Sequence, residues 1–287
     1  MPTIRAKLTT AISSHKLRPL LASLTLSSCI LFSGIGATTL HAENMRNIEK
    51  KGEFEICVSP RAMPFSDLLE EQAGRLPGLQ IDIGKEVAKR LKVELKTSWL
   101  SYRYQAKYTT CDAFPGVARL KNEPENLYLK KTVPYFKVEL LLATRPGTTL
   151  KSIEDFRDKR VAVSHGSLVH DALRKKGIEV FVSYTTDEKK LKALEKNEID
   201  VALVSNIGLG WYLKNNPGLK YETISSKVVA KKYEYDYAFG LRRADFMTVR
   251  DFNDIITAMI DDGSFERIFN RYGIEYKVNK FEGEFIR

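Results

Sequence analysis

The sequence is short of the side chains that carry chemistry. Its 287 residues hold four histidines, three cysteines and two tryptophans. No G-x-S-x-G elbow, phosphate loop or G-x-G-x-x-G run occurs, which removes the common hydrolase, nucleotide-hydrolase and dinucleotide-enzyme readings. No low-complexity tract interrupts a composition that is 43% hydrophobic and 29% charged, as in ordinary globular proteins. Beyond the first 42 residues no apolar run is long enough to span a bilayer. There is also no clustered basic stripe of the kind a nucleic-acid binder carries.

What is there begins with a leader. Residues 1–42 contain Arg5, Lys7, Lys16 and Arg18, no acid, and an apolar region from Leu20 to about Leu40, ending Leu40-His41-Ala42. This is a secretory signal pattern with cleavage expected after Ala42, giving a periplasmic product. Leu26-Ser27-Ser28-Cys29 offers a competing lipoprotein box, but the apolar stretch after Cys29 is unlike the polar linker such a box needs. Losing four bases and no acid takes Lys plus Arg from 46 to 42 against 36 Asp plus Glu, a mature charge of +6. That balance fits a lysine-rich solvated surface or docking to an acidic partner.

Only Cys57 and Cys111 then remain, an even pair in an oxidising compartment, and a disulfide is expected. Closing about 54 residues contributes on the order of 3–4 kcal/mol by chain entropy. Only His165 and His170 remain of the histidines, five residues apart and so not on one helical face, and no metal site or cofactor is expected. Ser167 beside His165 could be drawn as half of a nucleophile–base pair, but a helix cap explains it more simply. The chain reads as a binder and not an enzyme.

The organising stretch is 54–119. A short β-run at 54–58 leads into a loop punctuated by Pro60 and Pro64. Ile83, Val87 and Leu91 follow at i, i+4, i+8, the stripe of a core-facing helix. Runs 93–99 and 111–117 read as further strands. Strands separated by helices imply parallel pairing, with a ligand beyond the carboxyl ends of the strands, here at 59–65 and 116–119. A strand at 138–144 and a turn at Pro146-Gly147 follow, then a capping box at Ser152-Ile-Glu-Asp155.

A second α/β unit repeats the outline. Residues 160–163 are a strand, and Ser164, His165, Gly166 and Ser167 form a tight turn with Ser167 as N-cap of a helix that Gly177 stops. Thr185 opens the next helix, 199–204 is a buried strand, and Trp211 lies on the helix after it. A strand at 235–241 and helices at 248–262 and 265–272, broken at Gly263, close the fold, with 279–287 as a tail.

The segments GLQIDIGKEVAKRL, VPYF, SIEDFRDKRVAVSHGS, LKALEKNEIDVALV and DDGSFERIFNRYG, in this order, resemble the family 3 periplasmic solute-binding proteins of ABC importers over about residues 53–273. The resemblance implies an α/β, two-lobed periplasmic-binding-protein (type II, Venus-flytrap) fold with two hinge crossovers, near 135–139 and 235–238. Lobe I would comprise 50–135 plus 238–278 and lobe II 139–235. The ligand would lie between them.

Amino-acid-binding members hold their ligand by charged anchors, and the resemblance places Ser59, Ala62, Ala118 and Ser205 at anchor positions where an acid, an aromatic, a threonine and an acid are usual. Gly116 is kept, Trp99 stands for a second stacking aromatic, and the clamping arginine falls near Asn126, with Arg119 as a substitute. Gly166 and Ser167 survive on lobe II, and Asn206 adjoins Ser205. A zwitterion would lack its charge partners, and its desolvation would go uncompensated. A narrower likeness, carried by E-I-C-V-S-P-x-x-x-P-F-S-D and a later C-D, is to the binding-protein-like components that accompany quinoprotein (PQQ) methanol and alcohol dehydrogenases. It implies a quinoprotein dehydrogenase or c-type cytochrome as partner. An importer receptor with an ABC permease partner and a small-molecule ligand that is not a standard amino acid is the alternative.

Overall fold

The computed structural model describes residues 45–69, 75–120, 123–124, 126, 128–230 and 235–278. The expected leader and tail lie outside the described residues. All described residues belong to one unit, His41–Arg287. Among them no helix is long and apolar enough to cross a membrane.

A short helix α1 (Met45–Lys51), which the sequence pattern did not reveal, is followed by β1 (Glu53–Val58). Helix α2 (Leu79–Leu91) buries Ile83 and Val87 of the expected stripe, and Leu79, in the core that holds this strand's Phe54, Ile56 and Val58, while Leu91 is only partly buried against it. Lys92 ends it in the left-handed conformation, φ 58°. Strand β2 (Glu94–Trp99) pairs parallel with β1 from Glu53↔Glu94 to Val58↔Trp99, and β3 (Ala113–Arg119) pairs parallel with β1 on its other side. Gly116 to Arg119, expected past a strand end, are therefore part of the strand. Short strands β4 (Leu129–Lys131) and β5 (Phe136–Val138) follow.

The chain then changes sheets. The single strand expected at 138–144 is two, β5 and β6 (Leu140–Thr144), with Glu139 between them. Asn206 pins this crossover: its amide donates to Lys137 O at 3.1 Å, and its Oδ1 accepts the Glu139 amide at 3.1 Å.

The second sheet adds β7 (Val161–Ala162), α3 (Leu168–Lys175), β8 (Val180–Phe181), α4 (Asp187–Glu195), β9 (Val201–Ser205), α5 (Asn206–Asn215) and β10 (Glu222–Ser225). Its order is β10-β6-β9-β7-β8. The cap of α4 is Thr186, which accepts from Lys189 N at 3.2 Å, one residue later than Thr185. The chain returns through β11 (Tyr235–Arg242), α6 (Phe246–Asp261) and α7 (Ser264–Arg271). Helix α6 begins two residues before 248 because Asp245 caps it, accepting from Thr248 N at 2.7 Å. Gly263, φ 72°, separates the last two helices.

The first sheet has the order β2-β1-β3-β11-β4, and β5 also pairs with β11. Its core joins Phe54, Ile56, Phe239, Phe252 and Met259 to stacked rings, Tyr135 on Phe265 at 4.8 Å and Phe136 on Phe269 at 4.2 Å. The second sheet is buried on both faces, by Phe156, Val161 and Leu173 on one side and Ala162, Leu191 and Leu194 on the other. That is why 201–204 is a continuous apolar run and not an alternating one.

Candidate functional site

Strand geometry makes one large pocket. The β3 residues Phe114 to Ala118, where the pairing with β11 shifts register between Ala238 and Gly240, line a cavity of about 1100 Å³. It is also lined by Ser59, Ala62, Phe65, Gln80, Tyr237, Tyr102, Lys107, Tyr128, Arg242 and Arg243. Gly116 is small for a reason: a Cβ there would lie 2.4 Å from Gln80 Nε2. Phe65 and Tyr237 meet edge to face with centroids 6.0 Å apart. Burial, then the neighbouring Tyr235 and Asp187, raise the Tyr237 hydroxyl well above the usual tyrosine range.

The wall formed by Leu100, Ser101, Tyr102, Ala106 and Lys107 lies within the stretch of chain that a disulfide closes. Cys57 and Cys111 are bonded, with Cα atoms 5.8 Å apart. Cys111 precedes β3 and does not begin it, and the β1–β3 pairing of Ile56 with Ala113 brings the two sulfurs together.

Several residues singled out from the sequence sit elsewhere than their expected roles required. Trp99 is half-buried against the lobe I core and is not among the lining residues; aromatic surface comes instead from Phe65, Tyr237, Tyr102 and Tyr128. Arg119 is the odd-numbered neighbour of Ala118, so it falls on the other face, where its guanidinium donates to the carbonyls of Lys131 and Thr132. Burial pulls it below the ordinary arginine range, opposed by Glu123 and Asp236. It holds the β3–β4 connection and is not placed as a clamp. Asn126 accepts the Tyr128 and Leu129 amides at 2.9 and 3.2 Å. Asn206 is committed to the crossover. The lining residues include three bases and no carboxylate.

The second sheet carries two strand-to-helix turns, after β7 and after β9. Ser164, His165 and Gly166 are exposed, Gly166 at φ 70°, and Ser167 accepts the His170 amide at 3.1 Å as the cap of α3. The His165 and His170 rings lie 5.3 Å apart, because His165 is in the turn and its helical spacing to His170 does not apply. Among the described residues no group of three or more metal-ligating side chains occurs. Ser205 caps α5, accepting Gly208 N at 2.9 Å.

Two residues of this face were missed. Asp187 Oδ2 accepts the Ser205 amide at 2.9 Å and its hydroxyl at 2.8 Å. Lys190, 1% exposed, donates to Asp187 Oδ1. In the run DEKKLKALEK both look like solvated surface charge; the signal was that Lys190 stands four residues before the core residue Leu194 and so shares its face. None of these lobe II residues lines the lobe I pocket.

No protein-family model matches the chain. The lysine/arginine/ornithine-binding periplasmic protein of Escherichia coli (strain K12) is 24% identical over 220 residues, 73% of this chain and 83% of that protein. Among solved structures, the L-cystine solute receptor of Neisseria gonorrhoeae in its unliganded open conformation superposes with a TM-score of 0.65 at 18% identity, covering 83% of this chain and 100% of that one. The periplasmic binding protein XoxJ from Methylobacterium extorquens AM1 superposes with a TM-score of 0.61 at 21% identity, covering 79% and 100%. The chain therefore has the two-lobed fold of the periplasmic binding proteins, and its sequence relatives are amino-acid-binding members of that group.

Proposed function

We propose that the chain is a non-enzymatic, exported binding-protein-like component that assists a PQQ-dependent methanol or alcohol dehydrogenase system, with the dehydrogenase or its c-type cytochrome as partner. The observation that carries this reading is the chemistry of the lobe I pocket. Ser59, Ala62 and Ala118 of its lining present no charge, and the lining has bases but no acid. An α-ammonium entering it would shed water without a charged acceptor in return. The likeness to XoxJ supports the narrower family reading. In this reading Ser167 and the free amides at the start of α3 offer the cleft's occupant an oxygen-binding turn, worth about 0.3–1 kcal/mol at an exposed helix start.

A second reading, a small-solute receptor of an ABC importer, is favoured by the amino-acid-binding names of the curated relatives. The two separate in one experiment. The tagged mature chain is cross-linked in periplasm and its partners identified by mass spectrometry, with calorimetry against the standard amino acids run in parallel. Recovery of a quinoprotein dehydrogenase or c-type cytochrome is expected, with no amino-acid heat. Recovery of an importer permease, or low-micromolar amino-acid binding, overturns the proposal in favour of the receptor.

A further inference from the structure

Lobe II holds an ion pair whose two members are set at different depths. The Lys190 ammonium has three protons to donate, and three acceptors surround it: Leu203 O at 2.6 Å, Asp187 Oδ1 at 3.0 Å and Ser164 Oγ at 3.1 Å. The lysine is buried, whereas the Asp187 side chain keeps 26% of its surface exposed. Asp187 Oδ2 is seated on the first turn of α5 by the Ser205 amide and hydroxyl. Gly208 makes that seat, since a Cβ on it would lie 2.3 Å from the same oxygen. A carboxylate is favoured at a helix start. Ser205 adjoins Asn206, which is bonded to Lys137 O and Glu139 N, so the carboxylate sits at the end of β9 next to the crossover between the sheets.

We infer that Lys190 is a specificity-determining residue that acts through Asp187: the chain's own ammonium neutralises, from below, the carboxylate that lobe II seats on Ser205, and so closes that face to a ligand ammonium. Ser205 stands where the resemblance expects an acid, and Asp187 brings a carboxylate back to the same turn from a different helix. Lys190 already supplies that carboxylate with a cation at 3.0 Å, and the other two ammonium protons go to Leu203 O and Ser164 Oγ. An incoming ammonium would share that carboxylate with a second positive charge held at hydrogen-bond distance, and like charges disfavour it. The inference rests on the reading that the cleft takes no zwitterionic amino acid, and it assigns lobe II's part in that rejection.

The test uses putrescine, a cation without a carboxylate, so that the displaced carboxylate clamp plays no part, and the lobe I lining is the same in every variant compared. Calorimetry of the mature protein compares wild type, Lys190→Gln, Lys190→Met and the double variant Asp187→Asn/Lys190→Gln. Putrescine is expected to bind at least about tenfold more tightly to folded Lys190→Gln or Lys190→Met than to wild type, and the double variant is expected to lose the gain. A folded Lys190 variant with no gain, or a gain that survives Asp187→Asn, overturns the inference. If neither single variant folds, nitrogen-detected NMR of the wild-type lysine ammonium decides. A slowly exchanging Lys190 signal that Asp187→Asn perturbs upholds the pairing, and exchange as fast as that of a surface lysine refutes it. Micromolar binding of L-arginine by wild type would defeat the preceding functional reading; the putrescine comparison still decides the role of Lys190.

Discussion

Replacing both bridged cysteines tests how the pocket wall is held. Cys57 and Cys111 close a loop with a sequence separation of 54, and the chain-entropy relation assigns such a loop about 4 kcal/mol at room temperature. The cysteines are 4% and 0% exposed, and Thr109 Oγ1 lies 2.9 Å from the Cys57 sulfur, so a serine hydroxyl at either position has a hydrogen-bond partner. The Cys57→Ser/Cys111→Ser variant should therefore lose mainly the cross-link. With melting shifting roughly 2–4 °C per kcal/mol in a chain of this size, the midpoint should fall by about 8–16 °C. Reductant should lower the wild-type midpoint by a similar amount and leave the variant unmoved. Because the bridge closes the loop that carries Tyr102, Ala106 and Lys107, amide exchange over 100–110 should rise in the variant before global unfolding. A stability loss below about 1 kcal/mol, or unchanged exchange over that segment, would refute the loop-closure argument.

Other consequences can be measured directly. Arg160 bonds hold the Asp200 carboxyl well below the usual carboxylate range, with Arg145 assisting; its contribution is complete above the unfolded carboxylate pKa and is lost as pH falls through the lower folded value. Asp200→Asn should thus destabilise the protein at neutral pH and flatten its acid-unfolding curve, and parallel curves for both proteins would contradict this. Asn206→Ala should cost about 1–3 kcal/mol in urea unfolding by stripping the partners from Glu139 N and Lys137 O. Ser167→Ala should cost about 1 kcal/mol as a lost helix cap, read as a shift in the denaturation midpoint. Gly78→Ala should be far worse than Gly116→Ala: at Gly78 a Cβ meets Phe65 O at 2.5 Å with φ at 118°, whereas at Gly116 it meets the end of a flexible glutamine side chain, a contrast that thermal melts resolve.

The local elements were legible in the sequence because their causes are local. The i, i+4, i+8 stripe of Ile83, Val87 and Leu91, the cap at Ser167, the stop at Gly177 and the break at Gly263 each follow from residues within a turn or two of one another. The pairing of Cys57 with Cys111 was equally open to counting once the leader is set aside. What needed the tertiary structure was the direction and partner of each polar side chain. Whether Arg119 reaches a ligand or two carbonyls depends on which face of β3 it occupies. Whether Asn206 serves the cleft or the crossover depends on where the chain changes sheets. The short strands β4, β8 and β10 exist because neighbours pair with them, and their own sequences carry too few residues to show a period. Lys190 is the clearest case. Composition places a lysine in a charged run at the surface, and only the packing of α4 on β9 gives it a carboxylate, a hydroxyl and a carbonyl to replace the water it leaves.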